Sequence, residues 1–206
     1  MAETGKTASS ELVLASGSRF RAALLHNAGI AFRADSARIS ERDIEAPLAG
    51  SGLDGSEIAL ILAVAKADEV AQRNPGSWVI GCDQTLSLDG HLFHKPANRD
   101  EAIHRLLQLS GREHQLNSAI CLQRDGETLW QHVEICTIRF RELDPGFVGR
   151  HISRVGDTVL SSVGAYQIEG EGVQLFESMR GDYFSILGLP LLQLLATLRD
   201  LGLIDK

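Results

Sequence analysis

Apolar positions in this chain fall into short runs, some at strand period and some at helix period. Glu11–Ala15 (ELVLA) is a short apolar run that predicts a buried strand. It ends in Ser16-Gly17-Ser18, and a helical pattern follows from about Arg19 to Asn27, with Gly29 as a stop signal. A second strand is expected at Ala31–Asp35. Residues 40–56 are rich in Gly, Ser, Asp and Pro and read as a mobile loop, with Ser56 placed to cap a helix from about Glu57 to Gln72. Pro75-Gly76 turns the chain into a strand at Trp78–Cys82. Asp89-Gly90 marks a hairpin between Thr85–Leu88 and His91–His94. Asn98 and Glu101 stand at capping-box spacing before a helix at Arg99–Gln108, and Ser110-Gly111 stops it. Two long strand-like segments, Glu113–Gln123 and Thr128–Arg141, are joined by a second hairpin signal, Asp125-Gly126. A helix is expected near Pro145–Arg154, glycine-rich turns from Gly164 to Gly181, and a closing helix from Pro190 to Leu201 with Pro190 as its first residue.

Helices and strands alternate, yet the hairpins are antiparallel. The expected fold class is therefore α/β with a mixed β-sheet and flanking helices, not a doubly wound parallel sheet. Residues 1–10 read as a flexible tail and residues 11–206 as one domain, with no repeat or linker. At 206 residues a chain buries roughly 70% of its unfolded surface and needs no metal or disulfide to fold. Its 27 acids against 20 bases give a net charge of −7, which argues against nucleic acid as a partner. An anionic substrate would have to be met by a few well-placed cations. Cys82, Cys121 and Cys136 cannot all pair and lack metal-finger spacing, so a reducing compartment, the cytoplasm, is expected. The longest fully apolar run, Ile58–Ala65, has eight residues against the roughly 20 of a spanning helix. No apolar segment follows MAETGKTASS, so neither a membrane partner nor a signal peptide is expected.

Three features carry candidate chemistry. Ser16-Gly17-Ser18-Arg19-Phe20-Arg21 ends a strand and opens a helix, where free backbone N–H groups, two hydroxyls and two guanidiniums would suit phosphate oxygens. The bland reading is a capped helix with surface arginines. The Walker loop and the dinucleotide glycine pattern are both missing. Asp83 follows a buried strand, where a metal ligand, a general base and a turn-forming aspartate are all common. Thr85 stands where a haloacid-type phosphatase would need a second aspartate. Lysines are scarce, four against 16 arginines. Lys66 sits on a helical face with Ala59 and Leu62, and Lys95 precedes Pro96. Each serves as a compact point charge against phosphate, or is a chance retention with a snorkelling stem. Glu41 and Glu169 read alone as solvated loop acids. His91 and His94 point to opposite faces of a strand, which argues against zinc. No Gly-x-Ser-x-Gly elbow is present, and the cysteines read as buried and inert.

Taken in order, these segments resemble the Maf family of nucleoside triphosphate pyrophosphatases. The family's Leu-Ala-Ser-x-Ser-Pro-Arg-Arg-type loop is resembled by Leu14–Arg21, and its Ala-x-x-Lys-Ala helix by Ala63–Ala67. Its Gly-x-Asp strand end matches Gly81–Gln84, its Lys-Pro pair Lys95-Pro96, and its Leu-Ser-Gly-Arg-x-His motif Leu109–His114. Gly164–Gly170 matches Gly-Ala-Tyr-x-x-x-Gly, and Gly188–Leu191 matches Gly-Leu-Pro-Leu. The resemblance implies a two-lobed fold around a cleft, akin to inosine triphosphatase, often dimeric. It implies hydrolysis of a nucleoside triphosphate between the α and β phosphates with a divalent metal, usually Mg²⁺, with Mn²⁺ as an alternative. It assigns Asp83, Lys66 and Lys95 to catalysis, and Glu41 with Asp83 to the metal. Ser16, Gly17, Ser18, Phe20, Arg21, Gln84 and Glu169 fall to the substrate. Whether Asp83 acts as base, ligand or both stays open.

Where the family has Pro this chain has Arg19, and Phe20 replaces the first of the paired arginines. Gln84 replaces a common Thr, and Glu169 a common Gln. Phe20, Asp83-Gln84 and Glu169 resemble the 7-methyl-GTP branch more than the dTTP/UTP branch, and a stacked aromatic suits a cationic base. Two other readings compete: a nucleotide-binding regulator of cell division without turnover, and a phosphatase that removes only the γ phosphate.

Overall fold

The computed structural model describes residues 11–205. The expected flexible tail, residues 1–10, lies outside the described residues. Seven strands form one mixed sheet: β1 (Leu12–Leu14), β2 (Arg33–Ala34), β3 (Trp78–Leu88), β4 (His91–Phe93), β5 (Glu113–Arg124), β6 (Glu127–Phe140) and β7 (Phe176–Arg180). Their order is β2-β1-β3-β5-β6-β7, with β4 paired to β3. β1 runs parallel to β2 and β3, while every other pairing is antiparallel. The helices are α1 (Arg19–Asn27), α2 (Glu41–Glu45), α3 (Gly55–Arg73), α4 (Arg99–Leu109), α5 (Pro145–Val155), α6 (Tyr183–Ile186) and α7 (Leu191–Asp200). This is the mixed-sheet α/β class that the alternation of elements predicts.

Apolar clusters pack against both faces of the sheet. Leu12, Leu14, Ile80, Ile120 and Leu122 pack under α1 and α7, against Leu25, Leu194 and Leu198. On the opposite face, Val13, Val79 and Cys121 meet Ala67 and Val70 of α3. Farther along the same strands, Leu86, Leu116, Ile138 and Phe140 pack with Leu106 of α4 and Val148 and Ile152 of α5. β3 contributes to all three of these clusters.

The structure corrects several local expectations. β3 is one strand of 11 residues, not two short ones, because β5 pairs with it from Trp78↔Arg124 to Ser87↔Gln115. Residues 40–56 are not one loop. Ser40 caps the five-residue α2, and a 3-10 turn follows at Ala46–Leu48. Asp54, not Ser56, caps α3, because its carboxylate accepts from both Ser56 N and Glu57 N, at 2.8 and 3.0 Å. The reach of Glu57 back to Asp54 N completes a capping box. The glycine-rich stretch 164–181 contains β7, which forms by pairing with the end of β6. Pro190 is the cap of α7, not its first residue. Both Asp-Gly hairpins form, with Asp89 and Asp125 each at φ 51°, as a tight two-residue turn requires.

Candidate active site

The site lies where β3 loses a neighbour. β1 covers only Trp78–Ile80 and β4 only Leu86–Leu88, so on that edge Gly81–Thr85 face no strand. Strand alternation then sorts their side chains. Gly81 and Asp83 face α3, while Cys82 and Gln84 face the layer of α1, α6 and α7. A cleft of about 1020 Å³ opens over this gap.

Gly81 sets the approach of α3. A Cβ there would stand 2.2 Å from the Ala63 carbonyl oxygen and 2.8 Å from Ala67 Cβ and Cys121 Sγ. The close contact brings Lys66, between those two alanines, to Asp83. Lys66 is 9% exposed and Asp83 6%. Lys66 Nζ lies 2.5 Å from Asp83 Oδ1 and 2.6 Å from Glu41 Oε1, so one ammonium bridges two carboxylates. Burial alone would raise the Glu41 pKa. The Lys66 hydrogen bond and the charges of Lys66, Lys95 and Arg21 outweigh it and hold the carboxyl below its ordinary value.

The loop after β1 forms the opposite lip. Ser18 caps α1, its hydroxyl accepting from Arg21 N at 3.4 Å. Ser16 Oγ accepts from Ser18 N at 3.2 Å and from Arg21 Nη1 at 3.1 Å. Arg21 is buried, and it also donates from Nε to Gly188 O at 2.7 Å and from Nη1 to Cys82 O at 3.1 Å. The reading of both arginines as surface groups fails for Arg21, because three of its five N–H groups tie the loop to the sheet and to the turn before α7. Gly188 makes that turn possible, with φ +99° and no side chain against the guanidinium. Arg19 stays exposed and stacks its guanidinium over the half-buried Phe20 ring, 4.9 Å from the centroid.

The remaining sequence candidates line the same cleft. Gln84 donates its amide to Ser118 Oγ at 2.8 Å and to the carbonyls of Ser185 and Ile186 at 3.0 and 3.2 Å, pinning α6. Lys95 and Glu169 are exposed on the walls, Lys95 beside β4 and Glu169 on the segment after α5. Thus Ser16, Gly17, Ser18, Phe20, Arg21, Glu41, Lys66, Asp83, Gln84, Lys95 and Glu169 share one cleft. His91 is exposed and not among its lining residues. The three cysteines are buried and free, with burial pushing their thiols up to about 11 for Cys82, 12 for Cys121 and 11 for Cys136.

Sequence reasoning missed two contributors. Glu45 follows Glu41 by one turn of α2 and reaches His94 Nε2 at 3.5 Å. Burial raises its pKa, and the nearby Asp83 and Glu41 charges add to that against the opposing His94 and Lys66. The i,i+4 spacing would have exposed it had residues 41–45 been read as helix. Tyr166 also lines the cleft, within the Gly164–Gly170 motif in which only Glu169 carried an expected role.

Two converging carboxylates suit a hard cation that keeps waters and takes phosphate oxygens as further ligands. Among the described residues, no three His, Cys, Asp or Glu side chains are grouped to hold an ion alone. Also among the described residues, no helix is long and apolar enough to cross a membrane.

Known proteins resemble the chain along nearly its whole length. A protein from Mesorhizobium japonicum named 7-methyl-GTP pyrophosphatase is 60% identical over 195 residues, which is 95% of this chain and 98% of its own. One from Nitrobacter hamburgensis, named nucleoside triphosphate pyrophosphatase, is 50% identical over 94% of this chain and 95% of its own. Among solved structures, a HAM1 protein from Coxiella burnetii aligns with a TM-score of 0.38 at 20% identity, covering 63% of this chain and 72% of that one. The fold class rests on the sheet described above, not on that likeness. Residues 11–201 match the family described as Maf-like protein, nearly the whole chain, and the protein belongs to the Maf family.

Proposed function

We propose that the chain hydrolyses nucleoside triphosphates between the α and β phosphates, releasing the monophosphate and pyrophosphate, with 7-methyl-GTP as preferred substrate. The observation that carries this is one cleft holding a helix-opening Ser16–Arg21 loop, Lys95, and Asp83 and Glu41 bridged by Lys66. The names of the relatives support the reaction and favour the methylated base.

In this reading the loop's N–H and hydroxyl groups bind phosphate oxygens at the start of α1. Lys66 and Lys95 balance the charge that builds on the leaving pyrophosphate. Lys66 also fixes the orientation of Asp83, which accepts the proton of the attacking water. Glu41 and Asp83 are the residues to hold Mg²⁺ or Mn²⁺, which when bound neutralises phosphate charge and orients the anhydride. Phe20 and Glu169, which both line the cleft, are the residues we assign to a cationic base. Three free buried thiols suit a reducing cytoplasm.

The test is a nucleotide panel with Mg²⁺ that resolves pyrophosphate from orthophosphate and includes 7-methyl-GTP, dTTP, UTP and CTP. Pyrophosphate released fastest from 7-methyl-GTP, and abolished by a chelator, is the expected result. Orthophosphate alone would shift the reading to γ-phosphate removal, and binding without turnover to a nucleotide-sensing role.

A further inference from the structure

The motif Leu109–His114 contributes no cleft-lining residue, yet its last member supports the cleft wall from behind. His114 is 1% exposed and sits on β5. Its Nε2 lies 2.8 Å from Tyr166 Oη, and its ring packs edge-on against Phe140 and Tyr166. Burial holds the imidazole down at about 4, and burial pushes the Tyr166 phenol up. The pair is therefore neutral on both sides at physiological pH.

Tyr166 in turn shapes a tight turn. Ser162 Oγ donates to Tyr166 O at 2.8 Å and accepts from Tyr166 N at 3.1 Å. Ala165, fully buried, sits at φ +59°, a left-handed conformation that an alanine holds only when its surroundings impose it. Gly164 lies against the Tyr166 ring so closely that a Cβ would stand 2.2 Å from Cε1. The phenol reaches across the core to β5, while Arg105 of α4 holds the start of the turn by donating to Val163 O. The turn leads directly into Gln167, Ile168 and Glu169 on the cleft wall facing the nucleotide site.

We propose that His114 is a positioning residue for substrate recognition, acting through the Tyr166 hydroxyl to fix the Gly164–Glu169 wall at the distance a bound nucleoside requires. The proposal rests on the cleft being a nucleotide site, and it assigns His114 no part in bond cleavage. The wall then governs the nucleoside end, while the phosphate end depends on the Ser16–Arg21 loop and the lysines.

The experiment is calorimetric binding of the non-hydrolysable α,β-methylene analogue of 7-methyl-GTP and, separately, of pyrophosphate. The proteins compared are the full-length chain and its Tyr166→Phe, His114→Phe and His114→Gln variants. Tyr166→Phe and His114→Phe should each weaken the analogue about tenfold and leave pyrophosphate unchanged. The two together should do no more than either alone, as for partners in one interaction. His114→Gln, whose amide can take the place of Nε2, should recover most of the affinity. Analogue affinity within twofold of the parent in folded Tyr166→Phe would overturn the proposal, and so would an equal loss for pyrophosphate. If His114→Phe does not fold, Tyr166→Phe decides, since it removes one oxygen and keeps the ring. Failure of the parent to release pyrophosphate from any nucleotide would sink the functional reading instead, and the binding comparison would stand apart from it.

Discussion

Gly81→Ala offers a sharp test of how the sheet builds the site. The added Cβ meets the Ala63 carbonyl oxygen at 2.2 Å, and that oxygen is backbone, so no side-chain rotation relieves the contact. Ordinary contact distances begin near 3.4 Å, so α3 must move off β3 by about 1 Å. Overpacking of this kind costs about 1–3 kcal/mol. The same movement carries Lys66 away from Asp83 and stretches a 2.5 Å contact beyond good hydrogen-bond geometry. Misplacement on that scale lowers turnover by about 100-fold. The control is Gly149→Ala on α5, where nothing lies within 4 Å of an added Cβ, so stability should stay level or rise by about 0.5–1 kcal/mol. Urea unfolding midpoints and pyrophosphate release are measured on both variants. Gly81→Ala with a midpoint and kcat equal to those of Gly149→Ala would refute the argument that this glycine sets the Lys66–Asp83 distance.

Asp83→Asn should keep the fold and lower kcat by about 10²–10⁴-fold, read from single-turnover pyrophosphate release; full activity would remove Asp83 from the mechanism. Arg21→Lys should lower stability by about 2–4 kcal/mol in thermal melts, because an ammonium cannot reach Gly188 O, Ser16 Oγ and Cys82 O together. His114 carries a pH signature. Its pKa is about 4 in the fold against an ordinary 6.5, so the unfolded chain binds the extra proton in that window. Stability should therefore fall by about 3 kcal/mol as pH drops from 6.5 to 4, and be fully retained above 6.5. Urea unfolding of His114→Gln across the same range should show a correspondingly shallower decline.

Local chemistry was the legible part of this fold. Asn98 caps α4, with its side chain accepting from Glu101 N at 2.9 Å, and Pro145 opens α5, because such signals act within one turn of the chain. Lys66 and Asp83 were legible as candidates, but their contact was not, because it depends on α3 docking over Gly81. The burial of Arg21 depends on Gly188, 167 positions away, and no local pattern reports that. β7 was hidden because Phe176–Arg180 has mostly exposed side chains and becomes a strand only by pairing with β6. The length of β3 escaped for the same reason, since Asp83, at the break between the two expected strands, is a poor strand former that β5 holds in register.

The gap in the sheet at Gly81–Thr85 separates two differently built walls. Asp83 and Lys66 stand on or against a strand locked by ten consecutive pairings with β5, so their placement tolerates little variation. The facing wall, from Asp157 to Glu169, comes from turns that no strand pairs with. On the proposed function, substitutions in that wall would change which base is admitted while the Lys66–Asp83 contact, set by β3 and α3, stays in place.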